Sequence, residues 1–403
     1  MRAIKIAFAY VGVIIGAGLS SGQDIMQYFL SFGRKGLMGI VVLGILNTLF
    51  GLVTITLGSY FQAKHHDDVL KEIAPTPIRK LIDITLVFTG FAMSFVMIAG
   101  AGSNLRQQFH LPFFVGGFVC SALIIVVAFL DFERILEVIG VFTPLIVIMI
   151  AIITVYTFVG KSYDYARLDE VAKSIRPATN NVVVSVINYF ALCAVNGVSM
   201  AFVMGGSEKR IKEAKIGGAL GGFIVGLIVI AAASSLFAHL DIVKDADIPM
   251  LVIVNRINKI FALIYAITIF ALIFNTTFSL YFATARRFDG GSVNKMRIIL
   301  IALVVLGYIC SFFGFKTLVS IMYPLLGYIG FLMLIILALA WIKERTNIKS
   351  EKYLRRKMIR LISKKYDDEQ EYTKKDKEKF NQLGEDSIVD AQDIKSDIKE
   401  LLK

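Results

Sequence analysis

Residues 12–24 read GVIIGAGLSSGQD and interrupt the first apolar segment of the chain, which extends from about residue 3 to about residue 32. The four glycines and two serines of this stretch favour an unwound backbone in the middle of a membrane helix. Such a break survives in a bilayer only where protein or a polar cavity satisfies the freed N–H and C=O groups. The freed N–H groups suit an anion and the freed carbonyls suit a cation. The stretch therefore predicts a transport site, with a glycine-rich helix-packing face as the alternative.

The composition is typical of an integral membrane protein. The chain has 403 residues, of which 56% are hydrophobic and 18% charged, and its mean hydropathy is +0.70. The net charge of +12 lies mostly in predicted loops and in the tail, so we expect the lipid bilayer as a partner and no nucleic acid. Cys120, Cys193 and Cys310 lie in apolar runs, so we expect no disulfide framework and no metal cofactor. The sequence shows no pairing of a nucleophile with a base, and we expect no enzymatic activity.

A second apolar segment is also interrupted by polar residues. The sixth of ten predicted spans, residues 181–204, has the centre NYFALCAVNG at residues 188–197. Interrupted segments at corresponding positions of two halves indicate an inverted-repeat transporter. We therefore predict an all-α integral membrane protein with ten transmembrane helices in a 5+5 inverted repeat, in which the first and sixth helices are discontinuous. Buried asparagines that bond between helices are the alternative for the sixth span.

The chain divides into a membrane domain and a charged tail. Residues 1–342 form the predicted transmembrane transporter domain, with repeats at about 1–160 and 181–342, and residues 343–403 form the tail. The distribution of Lys and Arg in the loops predicts a multi-pass protein of the cell membrane with both termini cytoplasmic. A basic amphipathic helix at about 352–365 is expected to lie on the anionic inner leaflet. Beyond Tyr366 we expect a flexible segment.

The first-span motif resembles one family. The residues GAG at 16–18, followed by SGQD at 21–24, resemble the YkvI-like bacterial membrane proteins. These belong with the amino acid–polyamine–organocation superfamily, whose members share the fold of the leucine transporter LeuT. The resemblance to the YkvI group covers the ten-span region and not the tail. The wider likeness to LeuT is confined to short segments, of which residues 12–18 resemble its first-helix break and residues 190–197 its sixth-helix break.

This resemblance implies a substrate pocket. The amides of Ala17 and Gly18 match the positions that receive a substrate carboxylate, and Phe190 matches an aromatic lid over the substrate. No tyrosine stands in the third span to add a hydroxyl to that carboxylate, so either Ser94 serves in its place or that contact is absent. The further residues expected at the substrate are Gly16, Ser20, Cys193 and Asn196.

The resemblance also implies one sodium ion as the coupling ion, because the patterns that hold a second ion are missing. The implied ligands are the carbonyls of Gly12, Ile15 and Ile273 and the hydroxyls of Thr276 and Thr277. Proton-coupled relatives can place a lysine from the fifth helix in this space, and residues 135–159 contain no lysine. The alternative is that both threonines only cap carbonyls of their own helix.

Together these features predict a cation-coupled secondary transporter of a small organic solute that works by alternating access. Sodium is the expected coupling ion. An amino acid or a related carboxylate is the expected substrate class. A proton-coupled transporter and a transporter-like sensor that binds a ligand without flux are the alternatives. Asp24 is expected either to be a gating or proton-linked group or to lie at the outer mouth. The sequence specifies neither the substrate, nor the direction of transport, nor the oligomeric state.

Overall fold

The computed structural model describes residues 2–15, 17–129, 142–366 and 371–401, and within these ranges the chain is helical without a β-strand. The first span consists of α1 (Arg2–Ile14), α2 (Ala17–Ser21) and α3 (Gln23–Tyr28). The helices that follow are, in chain order, α4 (Arg34–Phe61), α5 (His66–Ile73), α6 (Thr76–Phe109), α7 (Phe113–Val127), α8 (Phe142–Phe158), α9 (Tyr165–Ala172), α10 (Val182–Gly206), α11 (Ile211–Ala238), α12 (Leu240–Val243), α13 (Pro249–Ile257), α14 (Lys259–Arg286), α15 (Val293–Ser311), α16 (Phe315–Lys364), α17 (Lys374–Glu385) and α18 (Ala391–Leu401).

The apolar helices match the ten predicted spans. Among the described residues, seven helices are long and apolar enough to cross a membrane, namely α4, α6, α10, α11, α14, α15 and α16. The shorter apolar helices α7 and α8 occupy the fourth and fifth positions, and the divided first span completes the ten. The beginning of the predicted fifth span, at residue 135, lies outside the described residues.

The sixth span is continuous, so the predicted break in this helix is wrong. Its polar residues are satisfied without unwinding the backbone of α10. The Asn188 side chain donates to the Pro324 carbonyl at 2.9 Å and accepts from the Tyr28 hydroxyl at 2.9 Å. The Asn196 amide donates to the Leu192 carbonyl of its own helix at 3.0 Å. The alternative of asparagines that bond between helices therefore holds for Asn188.

The spanning helices pack in two groups. We call α1, α4, α10 and α11 the first group and α6, α7, α14 and α15 the second group, because the members of each pack on one another. Helix α16 contacts α10 of the first group and α6 of the second. A cavity between the two groups is therefore lined by residues of both groups.

Both termini lie at the same end of the bundle, as an even number of spans requires. The Arg2 guanidinium lies 2.8 Å from Asp397 Oδ1 in the last helix. We call this end the terminal side and the other end the opposite side. That the terminal side is cytoplasmic stays a prediction from the basic loops.

The tail is helical in both of its parts. Residues 352–364 are helical, as predicted, but they are the end of α16, which runs without interruption for 50 residues, and the Arg355 side chain, 1% exposed, is buried against protein. Residues 371–401, for which the sequence predicts a flexible segment, contain α17 and α18, which fold back on α16. A small apolar cluster holds them there, consisting of Met358, Ile362, Phe380, Val389, Ile394 and Ile398. Spaced apolar residues inside a highly charged segment thus form a packed layer.

Candidate functional site

The first span departs from helical geometry at two places. Ile15 lies between α1 and α2, and Gly22 lies between α2 and α3. Gly22 has a φ of 79°, and a Cβ atom there would lie 2.9 Å from both Leu236 and Met250. Only glycine fits this position without strain, because the left-handed region penalises other residues. The break predicted for the first span is confirmed, although Gly16 lies outside the described residues.

A cavity of about 160 Å³ lies at this break and between the two helix groups. We call it the central cavity. Residues of α1 and α10 line it from the first group, residues of α6 and α14 from the second, and further residues come from α2, α3 and α16. Its polar lining consists of Asp24, Tyr189, Cys193, Asn196, Thr276 and Tyr323. A cavity of about 150 Å³ accommodates benzene, so this cavity fits a ligand of about six non-hydrogen atoms.

Asp24 is the one charged side chain among the described residues that line the central cavity. It is 2% exposed, so in this conformation it is buried and does not contact water at an outer mouth. Its Oδ2 atom accepts a hydrogen bond from the Tyr189 hydroxyl at 2.5 Å, and its Oδ1 atom accepts one from the Ile25 backbone N–H at 2.9 Å. The carboxylate is therefore fixed in place by α10 and by the start of α3.

Tyr323 and Gly18 complete this side of the cavity. The Tyr323 side chain is 1% exposed, and its hydroxyl has no hydrogen-bond partner within the described ranges. A Cβ atom built on Gly18 would lie 3.1 Å from Asp24 Oδ2 and 3.6 Å from the Tyr323 hydroxyl. The two oxygens thus flank the same glycine, and the missing side chain keeps the space beside them open.

The structure brings some of the predicted substrate residues together. Gly18, Cys193 and Asn196 line the central cavity. Ala17 begins α2, where its backbone N–H has no partner within the helix. Ser20 is buried, and its carbonyl accepts from the Tyr265 hydroxyl at 2.9 Å.

Like Ala17 and Ser20, two further predicted substrate residues lie outside the cavity lining. The Ser94 hydroxyl donates to the Gly90 carbonyl of its own helix at 2.7 Å, so it does not replace the missing tyrosine. The Phe190 ring packs edge-on against Phe50, with centroids 5.9 Å apart, and does not cover the cavity. Tyr189, the preceding residue of α10, faces the cavity in its place.

The predicted sodium ligands are only partly assembled. Thr276 lines the central cavity. The Thr277 hydroxyl donates to the Ile273 carbonyl at 2.7 Å, which is the helix-capping arrangement expected of threonine in a membrane helix. Gly12 and Ile15 lie just before the break, and the Ile15 backbone N–H donates to the Val11 carbonyl at 2.9 Å. A sodium site at these oxygens stays a prediction.

A second cavity lies next to the central cavity, toward the terminal side. It has a volume of about 510 Å³ and shares Asn196 and Leu280 with the central cavity. We call it the vestibule. It extends between α6, α10 and α14 to His65, Arg286 and Arg287 near the ends of these helices. The vestibule therefore borders the central cavity on its terminal side.

The opposite side is closed over the site. Tyr28, Phe29 and Leu30 follow directly after the break region and are 0% exposed. The Gln27 side chain donates to the Lys316 carbonyl at 3.1 Å, which joins the end of the first span to the start of α16. Protein therefore fills the route from the central cavity to the opposite side.

Comparison with known proteins identifies relatives that cover most of the chain. The "Uncharacterized membrane protein YkvI" of Bacillus subtilis (strain 168) is 26% identical over 328 residues, which are 81% of this chain and 93% of that protein. The "Uncharacterized protein YyaD" of the same organism is 25% identical over 332 residues, or 82% of this chain and 94% of that protein. The chain is a homologue of YkvI. No family model matches the chain.

The structural comparison shows the fold. The structure of MhsT in complex with L-phenylalanine matches 81% of this chain and 87% of its own, with a TM-score of 0.51 and 16% sequence identity. The chain therefore has a LeuT-type fold. In transporters with inverted repeats, sites lie near the bilayer midplane at discontinuous helices between the repeats. The central cavity of this chain lies at such a break.

Two tyrosines were not among the predicted site residues. Tyr189 directly precedes Phe190, which the resemblance identified as an aromatic lid. Tyr323 lies in the tenth predicted span beside Pro324. A buried tyrosine hydroxyl usually finds a hydrogen-bond partner, so tyrosines inside apolar spans were the available signal. The sequence alone did not show that both would face Asp24.

Proposed function

We propose that this chain is a secondary transporter that moves a small amino acid or a related carboxylate together with sodium. The observation that carries the proposal is the central cavity, which lies at the broken first span and between two separately packed helix groups. The LeuT-type fold and the amino acid bound to MhsT support the same class of substrate. The small volume of the cavity favours solutes such as glycine, alanine, serine and proline over aromatic amino acids.

The proposed mechanism is alternating access. The vestibule borders the central cavity on its terminal side, whereas buried residues close the opposite side. Rocking of the first group against the second closes the vestibule and opens the opposite side, while the solute stays between the groups. The groups pack mainly within themselves, which is the packing that such a movement needs.

The proposed contacts use the backbone of the break. A substrate carboxylate accepts hydrogen bonds from the Ala17 and Gly18 amides at the start of α2, each charge-assisted bond contributing roughly 1.5–3 kcal/mol. Sodium binds the Gly12 and Ile15 carbonyls and the Thr276 hydroxyl, with Ile273 and Thr277 beside them. Neutral oxygens of this kind are the ligands that broken transporter helices supply to Na⁺.

A proton is the second candidate for the coupling ion. The observation that favours it is the buried Asp24 carboxylate, which lies at the cavity without a basic side chain among the lining residues that the structure describes. Ionisable residues inside membrane proteins commonly form proton pathways. In this case the proton gradient, and not the sodium gradient, drives uptake.

Uptake into proteoliposomes tests the proposal. The purified protein is reconstituted and offered radiolabelled glycine, L-alanine, L-serine, L-proline and L-phenylalanine, with protein-free liposomes as the control. We expect saturable uptake of at least one small amino acid when an inward sodium gradient is imposed, and weaker uptake of phenylalanine. Equal uptake in choline and sodium buffers that collapses with a protonophore establishes proton coupling. Saturable binding with no flux under either gradient contradicts transport.

The Thr276 hydroxyl provides the matched test of the ion. Thr276→Ala removes the one predicted side-chain ligand that lines the central cavity, and Thr276→Ser keeps the hydroxyl. We expect alanine, but not serine, to raise the sodium concentration for half-maximal uptake by about tenfold. Thr277→Ala is the comparison, because the Thr277 hydroxyl already bonds to Ile273. An unchanged sodium dependence in Thr276→Ala contradicts the assigned ligand.

A further inference from the structure

We infer that the central cavity binds a protonated amino group, and that Asp24 is its anionic partner. This inference rests on the proposed function and narrows it. The substrates are then amines or amino acids, and carboxylates without an amino group are excluded. The inference depends on three features, which are the Asp24 carboxylate, the unpartnered Tyr323 hydroxyl and the volume of the cavity.

The acidic side chain of the central cavity has no basic side chain beside it among the described lining residues. Asp24 is 2% exposed, and no Lys, Arg or His is among the described residues that line the central cavity. A buried carboxylate is costly unless it is paired with a cation. The two hydrogen bonds from Tyr189 and Ile25 orient the carboxylate but carry no positive charge. A substrate ammonium supplies the missing charge when it enters.

Tyr323 provides an independent observation at the same place. Its hydroxyl is buried and lacks a hydrogen-bond partner within the described chain, and it lines the cavity. A buried polar group left without a hydrogen-bond partner is energetically unfavourable. An ammonium group has three N–H donors. It can therefore donate to Asp24 Oδ2 and to the Tyr323 oxygen together, since both atoms flank Gly18.

The size of the space limits the group that fits. Gly18 leaves open the space next to the two oxygens, and a methyl group there would already lie 3.1 Å from Asp24 Oδ2. The cavity volume of about 160 Å³ fits a solute of about six non-hydrogen atoms. L-Alanine, with six non-hydrogen atoms, is therefore the first probe. Gly18→Ala should weaken its binding by about tenfold or more.

The first test compares ligands on the unchanged protein. Equilibrium binding of radiolabelled L-alanine is measured in detergent, with competition by propionate, L-lactate and ethylamine. Propionate lacks the amino group, L-lactate has an uncharged hydroxyl in its place, and ethylamine lacks the carboxylate. We expect propionate and L-lactate to compete about 10- to 100-fold more weakly than alanine, as the loss of one charge-assisted hydrogen bond requires. Propionate that competes as well as alanine would overturn the inference.

The second test uses variants that keep the shape of the cavity. Asp24→Asn should weaken alanine binding by at least tenfold and abolish the preference for alanine over propionate. Tyr323→Phe should weaken binding by a smaller factor and retain the preference. Asp245→Asn is the control, because Asp245 is an exposed carboxylate outside the cavity lining. An Asp24→Asn protein that still prefers alanine, or one in which only the sodium dependence changes, would place the ammonium elsewhere.

The same measurements separate the two proposals. Alanine binding that depends on Asp24 without uptake in proteoliposomes supports the amine site and contradicts transport. Uptake of propionate and alanine with equal affinity supports transport and contradicts the amine site. An unchanged protein that binds no amino acid and no amine of the panel contradicts the amine site directly.

Discussion

The two ends of the bundle are held together in different ways. On the terminal side, the buried Arg355 donates to the Ser59 and Tyr60 carbonyls at 2.8 Å each and pairs with Glu351 at 2.6 Å. On the opposite side, the ion pairs are exposed. They are formed by Arg34 with Asp169 and by Arg106 with Asp247. The arginines of these pairs are 62% and 53% exposed.

The difference separates a permanent contact from a reversible one. Removal of one partner from a buried ion pair leaves an uncompensated charge and costs about 3–5 kcal/mol. An exposed pair is typically worth only about 0.2–1 kcal/mol. The Arg355 contacts join α16 to the end of α4, which belongs to the first group. The Arg106 pair joins α6 of the second group to the segment between α12 and α13. Strong contacts therefore join α16 to the first group, and weak ones lie where the opposite side must open.

The largest expected effect comes from breaking the terminal-side contact. Arg355→Ala leaves Glu351 buried without its partner and removes two donors from the last carbonyls of α4. We expect a loss of about 3–5 kcal/mol in the free energy of unfolding, measured by thermal or denaturant unfolding in detergent. Arg356→Ala is the matched control, because the neighbouring Arg356 is exposed. Similar losses in both variants would show that the burial of Arg355 does not matter.

The next effect concerns the link between the two termini. Asp397→Asn removes the charge that Arg2 contacts at 2.8 and 3.0 Å. These side chains are 24% and 14% exposed, so we expect a loss of about 1 kcal/mol. Hydrogen exchange should become faster in α18 and in the first turn of α1, and not in the centre of α16. Asp386→Asn serves as the control, since Asp386 is an exposed carboxylate of the same tail. Unchanged exchange at both termini would mean that Arg2 and Asp397 do not hold them together.

A smaller effect is expected on the opposite side. A double-mutant cycle on Arg34→Ala and Asp169→Ala should give a coupling of about 0.2–1 kcal/mol. The coupling should fall at 1 M salt, because the pair is exposed and therefore screened. A coupling energy above about 2 kcal/mol that is insensitive to salt would contradict the assignment of weak ion pairs to the opposite side.

The sequence predicted those features whose causes are local. The glycines between residues 12 and 22 weaken the helix wherever they stand, so the first break followed from the sequence. The continuous sixth span did not follow, because Asn188 is satisfied by the carbonyl of Pro324, a residue 136 positions away. Glycine and asparagine in an apolar segment predict polar groups that need hydrogen-bond partners. They do not predict which atoms those partners are.

The site was predictable to the same extent. Asp24 was identified because it stands beside the break. Thr276, Cys193 and Asn196 line the central cavity, and the roles that the resemblance implies for them stay predictions. Tyr323 reaches the cavity from the tenth span only through the packing of α16. The contacts of Arg355 likewise depend on how α16 meets α4. A local sequence pattern does not predict long-range packing of this kind.

The smallest expected effect is in the pH dependence of stability. Glu208 lies between α10 and α11, is 7% exposed and lies 3.4 Å from Arg2. Burial raises the pKa of its carboxyl above the ordinary value of 4.5, although the Arg210 backbone N–H and the charge of Arg2 oppose this effect. A raised native pKa means that the native state binds the proton more tightly than the unfolded state. The contribution of Glu208 is then fully present below about pH 4.5 and is lost as the pH rises through the native pKa. Glu208→Gln cannot titrate, so the stability of the unchanged protein relative to this variant should fall as the pH rises from about 4 to 7. Melting temperatures of both proteins across this range measure the difference. A difference that rises with pH would mean that the attraction of Arg2 outweighs the burial of the carboxylate.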